Sequence, residues 1–180
     1  GGWALGLLFW ILYLGLRHYT PPDLNPSDIA WTGAHLFYLS INRSLALPGE
    51  RAYKPALAMM GPGLALLFAV CWFYWGPASD LLVNIVWGAG FGWISHVSLR
   101  SMLYSRKMGQ RARAHYHGLV LAMLGFDELV LAAALFYTPQ DYHRFNWYYV
   151  FDLLVTLMLA LQPVALRRAI WPKGSTEEAA

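Results

Sequence analysis

The sequence predicts an all-α fold: a polytopic integral membrane protein, a bundle of about six transmembrane helices with both termini cytoplasmic. Three observations predict it. Six long apolar stretches divide the 180 residues, at roughly 2–16, 29–47, 55–75, 81–104, 118–137 and 145–166. Each is near the ~20 residues that a spanning helix needs. Charged residues make up only 13% of the chain and hydrophobic residues 58%, whereas a soluble domain carries about 25% charged residues. The basic residues are also sorted by position. Eleven of the thirteen Lys and Arg fall in loop 2–3, in loop 4–5, in the tail, or at the span ends beside them. Lys and Arg are retained on the cytoplasmic side of a membrane, which places both termini there.

Backbone amides in hydrocarbon must be satisfied within their own segment, so the runs are expected to be helices. A transmembrane β-barrel would show ~10-residue alternating segments, and these runs do not alternate. Six spans leave only short connections. Residues 1–172 therefore read as one bundle, and 173–180 as a disordered cytoplasmic tail. The expected location is a bacterial inner (cytoplasmic) membrane, and the first partner is the lipid bilayer. The net charge of +3 is accounted for by this one-sided placement, so no nucleic-acid partner is expected.

The elements follow in order. The first run has neither a basic leader nor a small-residue cleavage site, so it reads as a span and not as a secretory signal. It is short, and its opening turn is expected to lie upstream of Gly1. Pro21, Pro22 and Pro26 stiffen loop 1–2, and Ser27 or Asp28 is expected to cap the second helix. Pro48-Gly49 ends that helix and Pro55 opens the third. Gly61-Pro62-Gly63, near its start, is expected to kink or loosen it. Gly76-Pro77 turns the chain, Ser79 or Asp80 caps the fourth helix, and Thr138-Pro139 separates the fifth from the sixth. Aromatic residues crowd positions 72–75 and 142–149, as an interfacial belt does. Gly88 and Gly92 form a G-x-x-x-G pair, which lets another backbone approach closely. Packing inside the bundle is the preferred reading, and a homo- or hetero-oligomer seam is the alternative. The single cysteine, Cys71, cannot form an internal disulfide.

Polar groups inside the runs carry whatever chemistry the chain has, because they are costly there and face a bundle interior or a wet cavity. In the second run Asp28, Thr32, His35 and Asn42 share one helical face, which must point inward. The fifth run holds Asp127 and Glu128 at mid-depth. Their side chains diverge by ~100°, so they cannot form a close dyad with each other. Small residues around Glu128 favour it as the packed carboxyl, while the face of Asp127 with Met123, Val130 and Leu131 reads as lipid-facing or core-like. Asp152, with Tyr149 and Thr156 on its face, lies in the sixth run, and Asn84 in the fourth. Toward the inner side lie His96, Arg100 and His117. The plain reading of each is an interhelical hydrogen bond or a snorkelling cation. Two carboxyls at mid-depth are the hardest to explain in that way.

Several classes are excluded. The chain has no H-E-x-x-H, nucleophile elbow or P-loop, no metal-ligand motif, and no lysine within a run for a retinal Schiff base. What remains is a membrane-embedded enzyme or binding protein for a lipophilic small molecule. Its pocket would be walled by aromatics such as Trp31, Phe37, Trp87, Phe91 and Phe126. Glu128, Asp127, Asp152 and His35 would be its acid and base groups, converging on one cavity. A proton-coupled transporter or channel would use the same groups as a relay. A b-type haem or quinone-binding anchor would use His96 and His117 as axial ligands and Arg100 for a propionate. An assembly subunit is the remaining alternative.

Overall fold

The computed structural model describes residues 2–17, 25–75, 81–134, 136–137 and 144–171. They form six α-helices: α1 (Gly2–Arg17), α2 (Pro26–Ser44), α3 (Met60–Trp75), α4 (Leu81–Lys107), α5 (Arg111–Ala134) and α6 (Trp147–Ile170). Two 3-10 turns, Glu50–Ala52 and Ala56–Met59, join α2 to α3. No strand occurs among the described residues. Each helix overlays one apolar run, so the all-α expectation holds. The turns expected at Gly76-Pro77 and Thr138-Pro139, the caps Ser79 and Asp80, and the tail beyond Trp171 lie outside the described residues.

Two helices, α5 and α6, are long and apolar enough to cross a membrane. Among the described residues no other helix meets that test; shorter apolar helical stretches lie at Ala4–Arg17 and Ala56–Leu67.

The chain divides into two compact units, Gly1–Ser44 with Met59–His96, and Leu45–Ala58 with Val97–Ala180. In the first, α1 packs along α2. The second helix starts two or three residues earlier than the Ser27 or Asp28 cap implies. The Asn25 side chain accepts the Ser27 backbone N–H at 2.8 Å and Pro26 occupies the first helical position. Proline suits that place, where its missing N–H would have had no intrahelical partner. The Gly61-Pro62-Gly63 run lies near the start of the third helix, where the sequence reading places it. The backbone changes from 3-10 to α at Met59 and Met60, and the run falls in the first turn of α3. Gly61 has a packing reason to be glycine. A Cβ there would lie 2.6 Å from the Ser95 Cβ and 2.9 Å from the His96 backbone nitrogen. Gly92 answers it from α4, where a Cβ would lie 2.9 Å from that of Ala65. The α3 and α4 backbones thus meet over small residues, with Gly88 beside the Ala65 carbonyl.

In the second unit α5 and α6 form an antiparallel pair. Arg113 bonds the carbonyl of Ala169 at 3.4 Å, and Gln162 Nε2 lies 3.2 Å from Met123 Sδ. The partners run in opposite order along the two helices. The buried residues of α6 are Val155, Gln162 and Ala169, a spacing of seven that keeps one seam facing α5. Asn146 caps α6 by accepting the Tyr148 N–H at 2.9 Å.

Large apolar side chains are exposed on every helix, among them Ile11, Phe37, Leu66, Trp93, Leu129 and Leu157. The buried set mixes apolar residues such as Ile94, Val120, Met123 and Leu124 with polar ones such as Ser95, Ser98, Ser101, Ser105, His35, Asn42, His117 and Gln162.

Candidate functional site

Three carboxyls come together on the α5–α6 pair. On α5 the buried stripe runs through His117, Val120, Met123, Leu124 and Asp127. Asp127 is 9% exposed, one turn beyond Met123 on the seam that faces α6. Asp152 stands on α6 one turn before Val155, at an exposed flank of that seam, and its charge acts on Asp127. Charge on Asp127 in turn acts on Glu128. Glu128 is half-buried, and its Oε2 is enclosed without a hydrogen-bond partner. Among the described residues no ion pair holds any of the three. No group of three His, Cys, Asp or Glu side chains is placed among them to hold a metal. Such a set can take up, keep or release a proton, and charge on one member opposes charge on the next.

The faces of α5 are the reverse of the small-residue argument. Met123 and Asp127 are on the packed seam, while Gly125 is exposed and Glu128 lies at the flank. Small residues mark where a backbone can be approached, but the apolar Met123 and Leu124 decided which side is covered. On α6 Asp152 and Thr156 are exposed, because Val155 and Gln162 take the seam.

His35 belongs to the first unit; of the stripe read on α2, His35 and Asn42 are buried and Thr32 is half-buried. The His35 ring meets the edge of Trp87 on α4, with centroids 5.4 Å apart at 90°. Trp87 meets Trp31 at 5.9 Å, and Trp31 meets Trp10 on α1 at 5.9 Å. The Trp31 ring lies directly over Gly6, and Gly90 lies beside the imidazole of His35. This is a packed aromatic wall joining three helices. Phe37, expected to line a pocket, points outward. The side chains of Asp28 and Asn84 lie outside the described residues.

Of the inner groups, His96 is half-buried at the end of the first unit. His117 and Arg100 belong to the second. His117 is 1% exposed, and neither ring nitrogen has a hydrogen-bond partner. Arg113, one turn away, is the charge that acts on it. Arg100 lies against Glu50, with Nε 3.9 Å from Oε1.

Glu50 is the residue that sequence reasoning passed over. Leu47-Pro48-Gly49-Glu50 is a tight turn in which the Glu50 N–H bonds the Leu47 carbonyl at 3.1 Å. Gly49 has φ 80°, the left-handed value that the third residue of a type II turn requires. The Glu50 carboxylate folds back to accept the Leu47 N–H at 3.0 Å and takes the Ser101 hydroxyl at 2.5 Å. The Tyr104 hydroxyl bonds the Pro48 carbonyl at 2.9 Å. Arg113 reaches the Leu45 carbonyl at 3.3 Å. Two signals were available: a Pro-Gly turn followed by a lone acid in a basic loop, and the serines at 95, 98, 101 and 105 along one face of α4.

No known protein family, curated protein or solved structure matches this chain.

Proposed function

We propose that this chain is an integral membrane protein of six spans that handles protons at the α5–α6 carboxyls, acting as acid and base on a lipophilic small molecule. The observation that carries the reading is Asp127, a carboxyl enclosed in a helix seam with the Asp152 charge acting on it and no cation in contact among the described residues. A structural role would call for a basic partner there, because an unpaired buried carboxyl is costly. The membrane setting is supported by the large apolar side chains exposed on every helix, and by the apolar length of α5 and α6. The one-sided Lys and Arg distribution supports N-in, C-in.

The test is lipid-extract mass spectrometry of the purified full chain, wild type against Asp127→Asn and Asp152→Asn. The expected result is a lipophilic species on the wild type that is lost or changed in folded Asp127→Asn. Identical bound species and identical turnover of them in all three proteins would sink the acid–base role. Proton uptake by proteoliposomes that requires Asp127 would instead make the pair a transport relay.

A second reading has one observation in its favour. An axial haem ligand needs a free imidazole nitrogen, and His117 is buried with both nitrogens unpartnered. A Soret band in the purified protein that disappears in His117→Ala would put this reading first.

A further inference from the structure

We propose that the cationic end of the second unit is a docking surface for the headgroups of an anionic phospholipid leaflet. The proposal rests on the membrane reading above and goes beyond it by naming the lipid class that this end selects.

Three stretches of chain meet at this end. Lys107 Nζ stands 5.5 Å from the centre of the Tyr53 ring, and Tyr53 packs on Tyr104 at 5.4 Å. These contacts bring the 3-10 loop to the end of α4. Arg113 then ties the start of α5 to both the loop and the end of α6, through the carbonyls of Leu45 and Ala169. Each stretch arrives with exposed cations. The loop brings Arg51 and Lys54, the α4–α5 corner brings Arg106, Lys107 and Arg111, and α6 brings Arg167 and Arg168.

The chain does not neutralise them. Among the described residues of this end the acidic one is Glu50, which is buried and already engaged by Leu47, Ser101 and Arg100. The cations are interleaved with exposed apolar side chains: Leu57 in the loop, Met108 at the corner, Ile170 and Trp171 after the α6 arginines. A nucleic acid or free phosphate would meet the charges and leave these apolar groups in water. A headgroup layer meets both, because phosphates lie immediately above acyl chains. Indole at that level is the usual interfacial anchor.

A cation near an anionic leaflet favours association by roughly fivefold per residue at moderate salt. The test reconstitutes the full chain in phosphatidylcholine vesicles with and without phosphatidylglycerol. It reads the lipids that stay bound by native mass spectrometry, and insertion by resistance to alkaline carbonate. The expected result is phosphatidylglycerol enriched about fivefold over its bulk fraction, by that same factor. Enrichment should fall toward the bulk ratio in high salt and in the variant carrying Arg51→Gln, Lys54→Gln, Arg167→Gln and Arg168→Gln. These side chains are exposed, and the wild-type comparison of the two lipids stands whether or not the variant is made. Insertion into pure phosphatidylcholine without any preference for phosphatidylglycerol would overturn this proposal and leave the membrane reading standing. Failure to insert into either vesicle would overturn both. Displacement of the bound lipid by inorganic phosphate, or by a short RNA, at equal charge concentration would also overturn it.

Discussion

Replacing Glu50 with alanine is the sharpest test of the packing described for the second unit. The substitution removes the acceptor of the Leu47 N–H at 3.0 Å and of the Ser101 hydroxyl at 2.5 Å. Hydrogen bonds to a charged group contribute roughly 1.5–3 kcal/mol each. The Arg100 contact adds less, since its Nε stands 3.9 Å away and that side chain is 20% exposed. Two bonds then give a loss of about 3–6 kcal/mol, which overlaps the cost of removing one partner of a buried charged pair, about 3–5 kcal/mol. Glu50→Gln keeps one acceptor and the shape, so it should lose about half as much, roughly 1.5–3 kcal/mol. Arg51→Ala, exposed and next in sequence, should change stability by less than about 0.5 kcal/mol. The assay is reversible unfolding of the full chain in mild detergent, followed by far-ultraviolet circular dichroism. For a chain of this size each kcal/mol moves Tm by roughly 2–4 °C, so Glu50→Ala should melt about 10 °C lower. A Glu50→Ala curve that overlays Arg51→Ala would refute the reasoning. So would full additivity of Glu50→Ala with Ser101→Ala, because residues that share a bond must couple.

Further outcomes follow from other parts of the structure. Gly61→Ala should destabilise by about 1–3 kcal/mol through overpacking, because its Cβ would meet the Ser95 Cβ at 2.6 Å and α4 backbone at 2.9 Å. Gly63→Ala, with open space around it, should be neutral in the same melt. Asp127→Asn should affect activity or bound ligand more than Glu128→Gln, since Asp127 holds the seam; the opposite order would place the working carboxyl on the flank. A reporter fused after Lys173 should behave as cytoplasmic, and periplasmic behaviour would overturn the topology read from the basic loops.

The positions of all six helices were legible in the sequence, because hydropathy and turn chemistry are local properties. The proline and glycine punctuation around residues 48–55 marks α2 and α3 without reference to the rest of the chain. The inward stripe of α2 was legible for the same reason: one helix carrying His35 and Asn42 on one face has a single face to bury. That reasoning stops where two faces compete. Asp127 and Glu128 are ~100° apart, and only the partner helix decides which of those directions is inside. Val155, Gln162 and Ala169 bring α6 onto the Met123 side, so the seam takes Asp127. Glu50 shows the same division at longer range. Its turn was written locally in Leu47-Pro48-Gly49, but its partner Ser101 lies 51 residues away. That meeting depends on how the 3-10 loop lies on α4, a matter of tertiary packing that no local pattern encodes.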